Sequence, residues 1–485
     1  MRGLVNQGSG GGYIQKDFTP PPPVTNFTAT LGNAQVILNW TNPIDTDFVG
    51  LKILRQTGAY PTGVTDGILV YTGANISYTD TTVISGITYY YRAFSFDWDN
   101  NYNITVQQAT ATPLLAFNIY GIKIDTTNSN PATALTYTDD AVGLTPATGN
   151  NGAFNAGSWA DKFPFNQIKP CLLKNGVVNY YLNPNNYAQK IDGVTASDIT
   201  SGNDGDVMVE FPKIWWKFET IGTDLYVRYA DAQVDSSYKC LAHMRGTTEK
   251  DKCYISSYLG YNLTSKLRSL SGKTPTATQT IGAFRTLAQA NGAGYDQVAY
   301  FQLLMLQVLF TVMFKDRDSQ TALGRGYVDG NAAAINTGGT NAKGMFYGET
   351  TGKLQNKFCG IEDFYGNLRY WIDGFFSSAD WHMLIANQNF NDTESGYTDY
   401  GQVSTANLSG YISTVQGGTE TGFVVKATAG SATTYYPDYG YLFASSLPYF
   451  GGYWARADAA GAFYLYAYYS TATSAEFIGA RVMSL

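Results

Sequence analysis

SLPYFGGYWARADAAGAFYLYAYYSTATSAEFIGARVMSL, residues 446–485, carries two messages on one strand. From Gly461 onward it alternates with strand period, so Phe463, Leu465 and Ala467 fall on one face and Tyr464, Tyr466 and Tyr468 on the other. The first face reads as core. The second does not, because each tyrosine brings a hydroxyl that needs a partner or water. Tyrosine supplies large contact area with few rotatable bonds, the property paratopes exploit. Residues 446–485 therefore read as a binding face on an apolar backing. Gly451, Gly452, Ala459, Ala460, Ala472 and Ala475 lie around it and leave room for a partner to approach closely. The competing reading is aromatic filler in a chain that holds 38 tyrosines.

At 485 residues the chain is long enough for more than one domain. Only 14% of residues are charged while 15% are aromatic, and glycine is abundant. That profile fits a β-rich, loop-rich extracellular or virion protein rather than a helical cytosolic enzyme. A net charge of -7 with no Lys/Arg cluster argues against nucleic acid as a partner. Cys171, Cys240, Cys253 and Cys359 show no CxxC spacing and predict scattered buried thiols, with a Cys240–Cys253 bridge left open. The N-terminus lacks the apolar core of a secretion signal, so none is expected. The run YFQLLMLQVLFTVMF, residues 300–314, is too short to span a bilayer and holds two glutamines. It predicts a buried helix, starting near residue 295, and no membrane insertion.

In chain order, residues 1–23 are a Gly-rich segment ending in four prolines, expected to be a flexible arm suited to virion attachment. Residues 24–113 read as all-β. Val36, Leu38 and Trp40 alternate on one strand, Leu51 and Ile53 point inward from a second, and Tyr89, Tyr91 and Ala93 share a side of a third. Residues 114–485 are mixed. Residues 206–219 (DVMVEFPKIWWKFE) predict a strand whose hairpin partner is residues 225–230 across Gly222-Thr223-Asp224. Residues 282–291 predict an amphipathic helix. In residues 358–375, FCGIEDFYGNLRYWIDGF, Gly366-Asn367 marks a turn. The strand after it sets Leu368, Tyr370 and Ile372 opposite Arg369, Trp371 and Asp373.

Residues 24–113 resemble a fibronectin type III module, with a proline-rich approach, Trp40 closing an alternating run, and Tyr89 placed to make a tyrosine corner. Residues 358–375 resemble the GNVWEW-type motif of the formylglycine-generating-enzyme branch of the C-type-lectin fold. The GGYW, GAFYL and IGAR runs, with YTDDAVGLTP and IKPCLLKNGVVNYYLNP, resemble the target proteins of diversity-generating retroelements, such as the bacteriophage tropism determinants. The likeness covers roughly residues 114–485. It implies a mainly β chain, a fibronectin III β-sandwich followed by an α+β, C-type-lectin-like domain with a variable-type patch at 446–485. It further implies a framework of Gly451, Gly452, Trp454, Gly461, Phe463, Leu465, Ile478, Gly479 and Arg481. The ligand-binding positions would be Tyr453, Ala455, Arg456, Asp458, Tyr464, Tyr466, Tyr468, Tyr469, Thr473, Ala475 and Phe477.

On that likeness the chain is expected to be a non-enzymatic phage tail or baseplate receptor-binding protein, resident in the virion. Its partners would be a bacterial surface glycan or protein and other virion tail proteins, in a homo-oligomer for which the family favours a trimer. The alternatives are a structural virion protein whose C-terminal face packs on neighbouring subunits, and an enzyme that degrades surface polysaccharide. Oxidases of the same fold branch need cysteines near the C-terminus, and here none follows Cys359. No catalytic residue and no cofactor is expected. Calcium occurs in parts of the fold, with Glu362, Asp363 and Asp373 as candidates, but no D-x-D-x-D-G loop is present and solvated carboxylates are the expectation. Glu210, Glu219, Glu362 and Asp373 could serve a glycosidase only if paired across a cleft. His243 and His382 lack a nucleophile elbow and read as structural.

Overall fold

The computed structural model describes residues 17–114 and 117–485, and residues 3–5 and 14–16 in backbone only. Of the arm expected over residues 1–23, residues 1–2 and 6–13 lie outside the described residues; within it, Gly3–Val5 pairs antiparallel with Ile14–Lys16. The chain divides into two compact units, Met1–Phe117 and Asn118–Leu485.

In the first unit a three-stranded sheet (Thr25–Gly32, Gln35–Thr41, Ser77–Asp80) and a four-stranded sheet (Ile68–Gly73, Gly50–Thr57, Tyr89–Phe96, Gln107–Ala111) share one core. Strand alternation builds that core. Val36, Leu38, Trp40, Leu51, Ile53, Tyr89, Tyr91 and Ala93 are all buried in it, as their spacing predicts. The Ile84 N–H donates to the Tyr89 hydroxyl at 2.9 Å, fixing the corner that opens this strand. The proline run is not a free tether. The Pro21 and Pro22 carbonyls accept from Asn103 Nδ2 (2.7 Å) and Ser95 Oγ (2.8 Å), which bind it along the module.

The second unit is α+β, and the chain as a whole is mainly β. Its seven-stranded antiparallel sheet runs Asn186–Lys190, Val177–Asn183, Lys169–Lys174, Asp206–Pro212, Lys252–Ser256, Val482–Ser484, Tyr295–Gln297. A four-stranded sheet holds Leu135–Asp139, Ile119–Asp125, Asp224–Ala230 and Trp215–Ile221. The stretch read as one strand over 206–219 is therefore two, broken after Pro212, which cannot extend a ladder because it lacks an N–H. The expected hairpin survives in its second half, where Ile221 pairs with Asp224 across Gly222-Thr223.

Two helices pack against these sheets. The first, α1 (Ile281–Gln289), is capped by Thr280, whose side chain accepts from the Ala283 N–H at 3.2 Å. The second, α2 (Tyr300–Phe314), has every residue buried, which is why its sequence shows no polar face. Its two glutamines each make a buried bond, Gln302 donating to the Ala242 carbonyl (2.7 Å) and Gln307 to the Ala462 carbonyl (2.9 Å). Residues 295–297, read as part of this helix, instead form the edge strand beside Val482–Ser484. No helix among the described residues is long and apolar enough to cross a membrane. All four cysteines are buried and unpaired, so the Cys240–Cys253 bridge does not form.

The carboxylates expected in solvent are inside. Glu362, Asp363 and Asp373 are fully buried, because each finds donors there. Glu362 accepts from the Gly338 and Thr340 amides, the Thr340 hydroxyl and Gln355. Asp363 accepts from Gln355 and Asn367, and Asp373 is held by the Nε and Nη2 of Arg285 at 2.7 and 2.9 Å. Beside Glu362, Lys357 is buried with its ammonium 3.6 Å from the Tyr187 ring centroid and 3.1 Å from the Thr340 carbonyl.

Burial drives the Lys357 ammonium from its ordinary 10.5 down to about 7, although Glu362 pulls it the other way. Between those values the unfolded chain holds a proton the folded chain has released, so stability rises with pH across that window. Unfolding in urea at pH 7 and pH 9.5 should show a gain of about 1 kcal/mol per pH unit that Lys357→Met removes. Equal slopes in both proteins would mean that Lys357 stays charged in the fold.

Candidate functional site

The last strand of the tyrosine run belongs to a six-stranded sheet, in order Leu408–Ile412, Tyr436–Leu442, Leu465–Tyr469, Leu447–Phe450, Arg369–Trp371, Ile478–Gly479. One face is packed on α2 and the main core through Phe463, Leu465, Ala467, Leu442 and Phe450. The opposite face is aromatic and crosses four strands. Register sets Tyr441 opposite Tyr466, Tyr466 opposite Tyr449, and Tyr449 opposite Trp371. Their rings follow suit: Tyr441–Tyr466 centroids lie 3.7 Å apart, Tyr466–Tyr449 stack at 4.7 Å, and Tyr449–Trp371 meet edge-on at 5.8 Å.

Two arginines are set into this face. Arg369 is buried, and its guanidinium lies 4.4 to 5.6 Å from the rings of Tyr453, Tyr449, Phe477, Tyr466 and Tyr464. It donates to the Tyr464 hydroxyl at 2.8 Å. Arg456 is partly exposed, lies over Tyr439 (5.2 Å) and Tyr464 (5.7 Å), and donates to the Tyr441 hydroxyl at 3.4 Å. Burial raises the Tyr449, Tyr464 and Tyr466 phenols above their ordinary value, with Arg369 opposing it, so at neutral pH the face presents un-ionised hydroxyls.

The sequence placed Tyr464, Tyr466 and Tyr468 outward as equals, and the structure corrects this. Tyr464 is completely buried, Tyr466 is half-buried, and Tyr468 is 44% exposed. The alternation is real, but neighbouring elements cover the strand's start and leave its end open. Ala455 and Asp458 are exposed on the loop after Gly452, while Tyr453, Arg456, Tyr469, Thr473, Ala475 and Phe477 are partly exposed. The structure gathers Tyr453 and Phe477, whose rings lie 5.1 Å apart, against Arg369. Asp458 points toward Tyr411, at the Tyr439 side of the face; the Tyr411 phenol is raised by burial and then by that carboxylate. Thr473 and Ala475 belong to the loop after the strand, where the Ala475 carbonyl accepts from the Thr278 N–H at 3.0 Å.

Sequence reasoning missed Tyr411, Tyr439, Tyr441, Phe443, Tyr449 and Arg369. A signal was present, since Tyr439, Tyr441 and Phe443 recur with period two in YPDYGYLF. The framework residues Gly451, Gly452, Trp454, Gly461, Phe463, Leu465, Ile478, Gly479 and Arg481 are all buried. A Cβ on Gly461 would stand 2.1 Å from Asp438 Oδ1 and 2.2 Å from Ser319 Oγ, which leaves no room for a side chain.

Elsewhere, His243 is buried and held near 4 by loss of solvent, while His382 Nδ1 meets Asp399 at 2.9 Å on the surface. Glu210 accepts from Tyr181 (3.1 Å) and Tyr254 (3.0 Å), and Glu219 from Arg228 (2.9 Å). Among the described residues no three His, Cys, Asp or Glu side chains gather as a metal site.

The exposure gradient along the strand sets a stability gradient. Tyr464→Ala should cost about 3–5 kcal/mol, and Tyr468→Ala under about 0.5 kcal/mol, in urea unfolding. Equal costs would contradict the placement of these rings.

No protein-family model and no curated protein matches the chain. Among solved structures it is similar to the spore cortex lytic enzyme SleM of Clostridium perfringens, at 16% identity and a TM-score of 0.16, over 19% of this chain and 28% of that one. The chain thus spans under a third of that enzyme's length. It is also similar to the Major Tropism Determinant M1 variant, at 12% identity and a TM-score of 0.27, over 81% of this chain and 80% of that one. For the P3c variant of the same determinant the figures are 13% and 0.25, over 83% and 82%.

Proposed function

We propose that this chain is a bacteriophage tail receptor-binding adhesin. Its second unit is a C-type-lectin-like scaffold that reads the bacterial surface with the open margin of its tyrosine face. Its first unit is a fibronectin type III spacer, a reading supported by the three-plus-four strand sandwich and the Tyr89 corner. The observation that carries the proposal is the two-sided sheet: an apolar face fixed on α2, and an aromatic face that grades from buried Tyr464 to open Tyr468. Rigid rings presented by a buried backbone give recognition at low entropic cost. Binding here needs no catalytic group, and none of the residues on the face is a nucleophile poised beside a base.

The same aromatic margin favours one second reading, a contact with another subunit of the virion, since aromatic residues mark such interfaces too. Flow cytometry of labelled protein on intact bacterial cells tests the first reading. Adsorption to a host strain should be lost in Tyr466→Ala/Tyr468→Ala, with the melting temperature kept within a few degrees. If the double variant adsorbs normally but changes the oligomeric state in sedimentation, the face is an assembly contact.

A further inference from the structure

Among the described residues, six arginines are paired with carboxylates: Arg55, Arg228, Arg245, Arg268, Arg285 and Arg325. Arg317 and Arg481 donate to backbone carbonyls. The two arginines of the tyrosine face differ from both groups. Among the described residues, Arg369 and Arg456 have hydrogen bonds only to phenols and otherwise face rings. The Nε of each is buried without a partner, as is the hydroxyl of Tyr449 against Arg369. A cation set in rings keeps its charge and has no counter-ion to release before meeting an anion. Arg369 is enclosed and supplies field only. Arg456 is partly exposed and can reach a ligand.

Next to Tyr441, whose hydroxyl Arg456 contacts, lies a shelf suited to sugar rings. Tyr468 meets Phe443 edge-on at 4.6 Å, and Tyr466 lies against Tyr441, giving tilted aromatic faces at the open end of the strand. The chain as a whole carries -7, which repels an extended polyanion such as nucleic acid, so any anion would be held only at short range by the local cation Arg456. We infer that the ligand of this face is an anionic saccharide, a sugar bearing a carboxylate or a phosphate. Its ring lies on Tyr468, Tyr466 and Phe443 and its anion is taken by Arg456. The inference rests on the receptor-binding reading and narrows it to a ligand class.

Isothermal titration of the full chain tests it with trigalacturonate, mannose 6-phosphate, neutral galactotriose, inorganic phosphate and a tetra-aspartate peptide. At least one acidic sugar should bind about tenfold or more tighter than the neutral sugar, the worth of one charge-assisted contact. The trigalacturonate and mannose 6-phosphate arms tell carboxylate from phosphate. Arg456→Gln should erase the preference with the melting temperature unchanged, and Arg456→Lys should restore part of it. Equal binding of neutral and acidic sugars would overturn the inference. So would an Arg456→Gln variant that keeps the preference, binding of phosphate or tetra-aspartate as tightly as the sugars, or no binding of either acidic sugar. Cell adsorption that depends on Tyr466 and Tyr468 but shows no acidic-sugar preference removes only this inference; adsorption indifferent to those tyrosines removes the receptor reading itself.

Discussion

Buried polar contacts clamp the backbone of residues 461–484 at both ends, and the aromatic face exists because of them. At one end the Phe463 N–H donates to Asp438 (2.6 Å), the Ala462 N–H donates to Ser319 (3.0 Å), and the Ala462 carbonyl accepts from Gln307 of α2 (2.9 Å). At the other end Arg481 is enclosed and donates to the carbonyls of Glu362, Asp363 (2.6 Å) and Ser256 (3.3 Å), with its guanidinium over Tyr370 at 4.8 Å. A buried cation that loses such partners costs several kcal/mol, so these contacts specify one backbone path. The strand Val482–Ser484 is then held between Lys252–Ser256 and Tyr295–Gln297 in the seven-stranded sheet.

Between the two clamps the side chains are free to differ. Positions that face the core are closed by packing, as the collision built into any side chain at Gly461 illustrates. Ala455, Asp458 and Tyr468 touch the core least, and surface changes of that kind alter stability by little. Stability and, under the proposed function, recognition therefore fall to different residues of the same stretch. Arg369 joins the two roles: it stands under the rings, keeps them oriented through its bond to Tyr464, and lends the face positive field.

Much of this was legible in the sequence because it is local. The period of two at Phe463–Tyr468 separates core from aromatic face, and the apolar length of α2 marks a helix with no exposed side. The alternation of Val36, Leu38 and Trp40 marks a half-buried strand in the same way. What stayed hidden is non-local. Tyr464 meets Arg369 from a strand that begins almost a hundred residues earlier, so that part of its burial has no sequence signature. Residues 295–297 form a strand only because the C-terminus returns beside them. Glu362, Asp363 and Asp373 read as solvated charges because their donors, among them Thr340, Asn367 and Arg285, are brought to them by the fold. Two local signals were there to be used: the period of two at Tyr439, Tyr441 and Phe443, and Pro212, since a proline inside a run of strand residues marks its end.

Native-state hydrogen exchange tests the separation of fixed backbone from changeable surface most directly. The amides of Phe463, Ala467 and Met483 should exchange only through global unfolding, and the loop amides on either side of the strand Leu465–Tyr469 through small local openings. In a chain carrying Ala455→Thr, Asp458→Asn, Tyr468→Ser and Thr473→Asn together, the protected amides should keep their protection. If those four substitutions bring Phe463 and Met483 to loop-like exchange, the tyrosine face and its backbone are one structure, and the account of a fixed scaffold under a changeable surface is wrong.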